Sequence, residues 1–443
     1  MGLVNYINAV YKVPSSKKYG KITQVVGLVL RGVGISPSIG ELCTIYTDGE
    51  SSKTVKAEVV GFTKDESLLM PLGNIQGVRA GTRIMNNSKT FTVGVGEELL
   101  GRTLNALGEP IDDVDINLEG RNCINCSQSY PVHNEPPDPF ERKRINEPIS
   151  TGIKAIDGLL TCGKGQRVGI FAGSGVGKSV LLGMIARNTS ADVNVIALVG
   201  ERGREVRDFI EKDLGEEGLK RSVVVVATSD QPPLLRSLAP STAMAIAEYF
   251  RDQGNDVLLM MDSVTRYAMA EREIGLAIGE PPASKGYTPS VFAKLPKLLE
   301  RAGTTRDKGT ITGLYTVLIE ADDMNDPIGD SVRSILDGHI VLSRDLAIRN
   351  HYPAIDVNQS ISRLMVEVTT PEHRKAAAKF KETLAVYNDS KDMIDIGAYT
   401  KGSNPKIDYA LGNIDNITNY LRQPIEESVD FENSVSSLIQ LLN

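Results

Sequence analysis

At 443 residues the chain is too long for one compact domain, so two or three are expected, with enough interior for real hydrophobic cores. Hydrophobic residues make up 41% and charged residues 24%, and no run reaches the roughly 18 apolar residues of a membrane span, which argues against an integral membrane protein. Lys plus Arg number 49 against 56 for Asp plus Glu, a net charge of −7, so the overall basic footprint of a nucleic-acid binder is missing.

The N-terminal stretch MGLVNYINAVYKVPSSKK has neither a basic leader nor a continuous apolar run, so no secretory signal is expected and the cytoplasm is the default location. Leu3, Ile7 and Val10 fall there at helical spacing, a stripe that suits either packing on the following domain or docking to a partner. Up to about residue 90, the glycine-punctuated runs KITQVVGLVLRG, GELCTIYTD, KTVKAEVVGF and GTRIMNNSKTFTVGVG predict a small β-barrel or sandwich. Cys43, Cys123, Cys126 and Cys162 are too few for a disulfide framework, and the C-x-x-C of Cys123 and Cys126 lacks the second pair that would complete a zinc site. The segment from Pro131 to Pro148, PVHNEPPDPFERKRINEP, is rich in proline and charge and should run extended as a connection. Beyond it the strand-like runs RVGIFA, VNVIALVG, SVVVVAT and DVLLMMD alternate with the helix-like runs KSVLLGMIARN, REVRDFIEKDLG and STAMAIAEYFRDQG, the pattern of an α/β domain with a mainly parallel sheet. From about residue 367 the pattern turns helical: Thr370-Pro371 is a good helix start, and Phe380, Leu384 and Tyr387 recur at i, i+4 and i+7.

AGSGVGKS, residues 172 to 179, lies between a strand and a helix, the setting that a phosphate-binding loop requires. Ala172 takes the first place, and Gly173, Ser174, Gly175, Val176 and Gly177 form a loop whose backbone N–H groups turn inward around phosphate oxygens at a helix N-terminus. In that pattern Lys178 reaches the β- and γ-phosphates and Ser179 ligates the metal, so ATP and Mg2+ are the expected ligands. Asp262 closes the apolar run DVLLMMD; acids are common at strand ends, but downstream of a phosphate loop this one is the expected holder of the metal's water shell. LVGERGREV places Glu201, Arg202, Arg204 and Glu205 where VNVIALV ends, and in an open parallel sheet ligands sit beyond the carboxyl ends of the strands. Glu201 is thus a candidate to face the γ-phosphate and Arg202 its oxygens, with a self-paired surface turn as the alternative that spacing leaves open. Asp322 and Asp323, in EADDMNDP, read as a solvated turn.

GRTLNALGEPID (101 to 112), AGSGVGKS, VGERGREV, LLMMDSVTRYAMAEREI, GEPPASKGYTPSVFAKLPKLLERAG (279 to 303) and HYPAIDVNQSISRLM (351 to 365) together resemble the ATPases of bacterial flagellar and virulence type III protein export. Those enzymes are similar in turn to the catalytic subunits of rotary ATP synthases. The resemblance covers nearly the whole chain, and IGAYTKGSNPKIDYAL (396 to 411) resembles the flagellar branch. It implies a RecA/F1-like P-loop core over residues 91–366, a β-barrel domain with a short leading helical segment over 1–90, and a helical domain over 367–443. It implies that Glu201 activates the attacking water, that Arg202 and Arg266 line the γ-phosphate pocket, and that Glu205 joins Asp262 in holding the metal through water. Tyr352, in HYPAID, would lie against the adenine. Arg363, in NQSISRLM, matches an arginine finger that reaches into a neighbouring subunit, which implies composite sites in a homohexameric ring.

The implied partners are a flagellar export regulator, a stalk protein, a membrane export gate and chaperone-bound export substrates, met at the cytoplasmic face of the export apparatus with peripheral membrane association. GEPPASKGYTPS would face the central channel, with a plain surface loop as the alternative. A short segment before the barrel and the extra C-x-x-C depart from the family pattern. A rotary synthase subunit would need a partner nucleotide-binding chain, whereas Glu201 and Arg363 stand on one chain here. A nucleic-acid translocase needs a basic track and stacking rings, against which stand the net charge of −7, 5% aromatic residues and no tryptophan.

Overall fold

The computed structural model describes residues 19–47, 54–112, 124, 126–319 and 326–442. The Leu3, Ile7 and Val10 stripe, Cys123 and the Asp322–Asp323 pair lie outside them. Six strands, Tyr19–Val26, Val29–Val33, Glu41–Tyr46, Thr54–Thr63, Glu66–Pro71 and Arg83–Thr90, close into a barrel in the spatial order first, second, fifth, fourth, third, sixth. KITQVVGLVLRG, a single run in the sequence, folds as a hairpin because Gly27 takes φ +56° between Val26 and Val29. Strand alternation turns Ile22, Leu30, Cys43, Ile45, Ala57, Val59, Leu69 and Ile84 inward, and closure leaves no unpaired edge. Gly32 faces the same interior, where an added Cβ would come within 2.6 Å of Ile84 Cδ1. This unit runs through Thr92 and takes in Pro232–Leu234 and Glu273–Pro282.

The second unit, which begins at Val93, is built on a nine-stranded sheet. Eight strands run edge to edge as Ile355–Ser362, Gly338–Leu342, Arg167–Ala172, Thr310–Leu318, Asp256–Asp262, Val193–Val199, Ser222–Ala227 and Thr103–Asn105, with Gly303–Thr304 paired on Thr310–Leu318. From Gly338–Leu342 to Thr103–Asn105 every pairing is parallel. Ile355–Ser362 and Gly303–Thr304 are antiparallel to their neighbours. Helices cover both faces, so the central strands are nearly continuous apolar runs, and every residue of Val193–Val199 and Ser222–Ala227 is buried. The register Ala172↔Leu318, Leu198↔Asp262 and Val199↔Ala227 brings their carboxyl ends to one edge. Arg167–Ala172 and Val193–Val199 follow each other in the α/β alternation, yet two strands stand between them, and the crevice of such a sheet opens at those carboxyl ends.

The segment Pro131 to Pro148 lacks long regular elements, as expected, but it contains a short helical turn at Pro139–Glu141 and is fastened rather than a free connection. Arg142 Nη1 donates to the Ala302 carbonyl at 3.0 Å, Arg306 N donates to the Glu141 carbonyl at 2.8 Å, and Val132 is buried. The C-terminal region forms the helices Pro371–Asp395, Pro405–Leu421 and Phe431–Leu442. Thr370 caps the first, its side chain accepting from His373 N at 3.3 Å with Pro371 in the first turn. Along the stripe read from sequence, Phe380 is fully buried while Leu384 and Tyr387 are half-buried, so the helix leaves the core as it extends. Phe380 meets the ring of Tyr420 edge-on at 5.5 Å, and both belong to one apolar cluster with Leu159 and Ile185. The C-terminal helices therefore share the core of the sheet unit.

Candidate active site

At the carboxyl edge of the sheet, Ala172 ends its strand and the chain turns through Gly175 at φ +77° and Gly177 at φ +86° into the helix Lys178–Asn188. Left-handed conformations at both positions explain why glycine stands there. Val176 turns down into the core, while Ala172, Gly173, Ser174, Gly175, Gly177, Lys178 and Ser179 line a cavity of about 840 Å³. Glu201, Arg202, Glu205 and Arg266 line the same cavity. Its size suits a small-molecule ligand, and its floor is a helix N-terminus that favours anions.

Lys178 Nζ lies 2.5 Å from Asp262 Oδ1 and 3.7 Å from Glu201 Oε1. Thr316 Oγ1 donates to the same Asp262 oxygen at 2.7 Å. A buried and a half-buried carboxylate this close need a counter-charge, and the lysine supplies it. Burial pushes the Glu201 carboxyl up to about 7, with Lys178 opposing the rise and Asp262 and Glu205 adding to it. Its turn is held by Gly200 N, donating to the Ala227 carbonyl at 2.7 Å, and by Ser229 N, donating to the Glu201 carbonyl at 3.0 Å. Gly200 takes φ +70°, and an added Cβ would stand 2.9 Å from Arg266 Cβ, so the arginine stem crosses a position that only glycine leaves open. Arg266 Nε is buried with no hydrogen-bond partner among the described residues, a donor that an anion in the cavity would satisfy.

The self-paired turn left open by the sequence is present for part of the stretch. Arg202, whose side chain is 82% exposed, pairs with Glu205 at 3.5 Å, and Arg204 pairs with Asp208 at 3.5 Å. Glu201 points inward, so the four charges divide between cavity and solvent. A cation at Ser179, Asp262 and Glu205 would find oxygen donors only, the set that magnesium takes alongside phosphates and water. Among the described residues no group of three or more His, Cys, Asp or Glu is arranged to hold a metal by itself.

A second, mainly apolar cavity of about 560 Å³ adjoins the first at Gly175, Gly177 and Val180. Tyr352 lines it, and its ring would lie 3.4 Å from a Cβ at Gly177. Leu181 and Met184 form a second wall, and Arg422, Gln423, Pro424 and Ile425 a third. That third wall was not foreseen, because nothing in LRQPIEES marks a binding element.

Arg363 is the one expected site residue that the fold keeps apart. Ile355–Ser362 runs antiparallel, with Leu342↔Ile355 and Gly338↔Ser362, so it begins at the edge near Tyr352 and ends at the opposite edge. There Arg363 N donates to the Asp337 carbonyl at 3.0 Å and its side chain is exposed. The two edges are about 20 Å apart, the length of a six-residue strand.

Three family models match in succession: the ATP synthase alpha/beta family β-barrel domain over 22–86, that family's nucleotide-binding domain over 152–362, and the T3SS EscN ATPase C-terminal domain over 369–440. The flagellum-specific ATP synthase of Bacillus subtilis (strain 168) is 53% identical over 435 residues, 98% of each chain. This chain belongs to the flagellar and type III secretion ATPase family. Within that family, the assembled ATPase EscN from the enteropathogenic E. coli type III secretion system matches with a TM-score of 0.88 at 47% identity, over 96% of this chain and 100% of EscN's. EscN in complex with its central stalk EscO matches with a TM-score of 0.87 at 46% identity and the same coverage, 96% and 100%. The barrel, the mostly parallel nucleotide-binding sheet and the C-terminal helices are the family's architecture, and ATP hydrolysis is its activity.

Proposed function

We propose that the chain hydrolyses magnesium-ATP in a homohexameric ring and thereby drives type III protein export during flagellum assembly. The observation that carries this reading is the placement of Glu201 and Arg363 at opposite ends of one sheet on one chain. A ring of identical copies brings one protomer's carboxyl edge against its neighbour's Arg363, and each site is then made by two chains.

The phosphate loop and the N-terminus of the helix Lys178–Asn188 bind the triphosphate, and adenine enters the apolar cavity beside Tyr352. The γ-phosphate draws Lys178 from its pairing with Asp262 and Glu201. Glu201 orients the attacking water and receives its proton, for which a carboxyl near neutrality is suited. Lys178, Arg202, Arg266 and the partner's Arg363 stabilise the charge that develops on the transferring phosphoryl group. Magnesium, when bound, neutralises the β- and γ-phosphate oxygens; Ser179 would hold it directly, and Asp262 and Glu205 through water.

The assembled EscN and its complex with a stalk support the ring and a stalk protein as partner. An export regulator, a membrane export gate and chaperone-bound substrates complete the proposed partners, at the cytoplasmic face of the export apparatus. Among the described residues no helix is long and apolar enough to cross a membrane. The proposed domains are a β-barrel with a short leading helical segment in 1–90, a P-loop ATPase domain in 91–366 and a helical domain in 367–443. For the flagellar branch the support is IGAYTKGSNPKIDYAL, a built turn in which Tyr399 Oη donates to Asp408 Oδ1 at 3.0 Å and Gly402 N to Asp408 Oδ2 at 2.9 Å.

Glu201→Gln tests the chemistry. It keeps the shape and removes the base, so kcat should fall by a factor of about 100 or more while ATP still binds; hydrolysis at the parent rate would end this reading. The export role is tested in a strain lacking the chain, which should lose motility and filaments.

A further inference from the structure

The apolar cavity has three walls, one from the helix Lys178–Asn188 and one from the chain around Tyr352 that leads into the edge strand Ile355–Ser362. The third, Arg422 to Ile425, is irregular chain between the helices Pro405–Leu421 and Phe431–Leu442, with no ladder of its own to hold it. Gln423, buried in the middle of this turn, supplies the fastening. Its backbone N donates to the Tyr352 carbonyl at 3.1 Å, joining the two walls that would face the base. Its side-chain Oε1 accepts from Lys154 N at 2.9 Å, and Nε2 donates to the Gly152 carbonyl at 2.7 Å and the Glu427 carbonyl at 2.9 Å. One acceptor and both donors of the amide are thus engaged, with partners on two separate segments of chain. Arg187 Nη2 adds a bond from the end of the phosphate-loop helix to the Ile425 carbonyl at 3.1 Å.

We propose that Gln423 is a positioning residue for the nucleotide base: it fixes the turn Arg422–Ile425 against Tyr352, so that recognition of the base depends on the connection between the last two helices. This rests on the reading that adenine occupies the cavity beside Tyr352. Removing the amide leaves the buried Gly152 carbonyl and the partly buried Lys154 N and Glu427 carbonyl unmatched, and the wall loses its fixed distance from Tyr352. Gln423 does not line the phosphate cavity, so binding of the phosphates should be spared.

The test uses the full chain with Gln423→Met, which keeps volume without the amide, and Gln423→Glu, which keeps an acceptor for Lys154 N and loses both donors. The measurements are KM and kcat for ATP, the inhibition constant of inorganic tripolyphosphate as a ligand without a base, and the melting temperature. Both variants should raise KM for ATP about tenfold with kcat within about threefold, the pattern of lost ground-state binding, while tripolyphosphate inhibition stays within about twofold. An unchanged KM in both variants overturns the proposal, as does a tripolyphosphate constant that rises in step with KM, the mark of general damage. Tyr352→Ala separates the two levels: if it leaves KM unchanged, the base does not sit in this cavity and the reading beneath the proposal fails. If it raises KM while the Gln423 variants do not, only the role of Gln423 fails.

Discussion

Glu201 links the electrostatics of the site to two measurements of opposite sign. Its carboxyl is pushed up to about 7 in the folded chain from an ordinary value of 4.5, so the folded state holds a proton that the unfolded chain has released. Its contribution to stability is therefore fully present below pH 4.5 and is lost as pH rises through about 7. Water activation needs the carboxylate, so kcat/KM should fall as pH drops through about 7. Stability of the nucleotide-free protein should decline over the same window as pH rises, and Glu201→Gln should flatten that decline. A kcat/KM profile that is level between pH 5 and 8 would contradict the assigned role. At this scale the sequence was informative where chemistry is contiguous: AGSGVGKS carries its glycines, lysine and serine in one stretch, and the loop forms as expected. It was silent on the bridge from Lys178 to Asp262 and Glu201, since those partners meet only through the parallel register of four adjacent strands.

Among the elements, the C-terminal helices show how a local reading succeeds and then stops. The cap at Thr370 and the buried Phe380 follow from sequence alone, because a cap needs only its neighbours and a stripe only its period. That these helices are fused to the nucleotide-binding layer rests in part on Tyr420, whose hydroxyl reaches the Lys154 carbonyl at 3.1 Å and the Ser434 carbonyl at 2.9 Å. Gly158 makes the contact feasible, since a Cβ there would strike that hydroxyl. Tyr420→Phe deletes the hydroxyl from a buried site and should cost about 1–3 kcal/mol in urea unfolding, with an unchanged slope. A midpoint equal to the parent's would mean that the helices do not draw stability from this junction. The helical run REVRDFIEKDLG was likewise readable as a helix, but its wider π turn at Phe209–Leu214 was not. Gly183 of the phosphate-loop helix packs directly on that turn, where a Cβ would lie 2.5 Å from the Asp213 carbonyl oxygen.

For the whole molecule, the decisive feature is the polarity of one edge strand. Had Ile355–Ser362 run parallel to its neighbour, Arg363 would emerge beside the phosphate loop and one chain would hold a complete site. Running antiparallel, it carries Tyr352 at its start to the apolar cavity beside the phosphate loop and Arg363 at its end to the far edge. No pattern in HYPAIDVNQSISRLM encodes that direction, which is why spacing alone could not separate an arginine of the chain's own site from one offered to a neighbour.

The central claim, that catalysis is shared between chains, is tested most directly by mixing two inactive variants, Arg363→Ala and Lys178→Ala. Each alone should be nearly inactive, one for want of the finger and the other for want of the phosphate-binding lysine. In mixed rings formed at equal ratio, about a quarter of the sites combine an intact Lys178 with a neighbour's intact Arg363, so activity should return to roughly that fraction of the parent's. Verified mixed rings that remain as inactive as either variant alone would contradict the account.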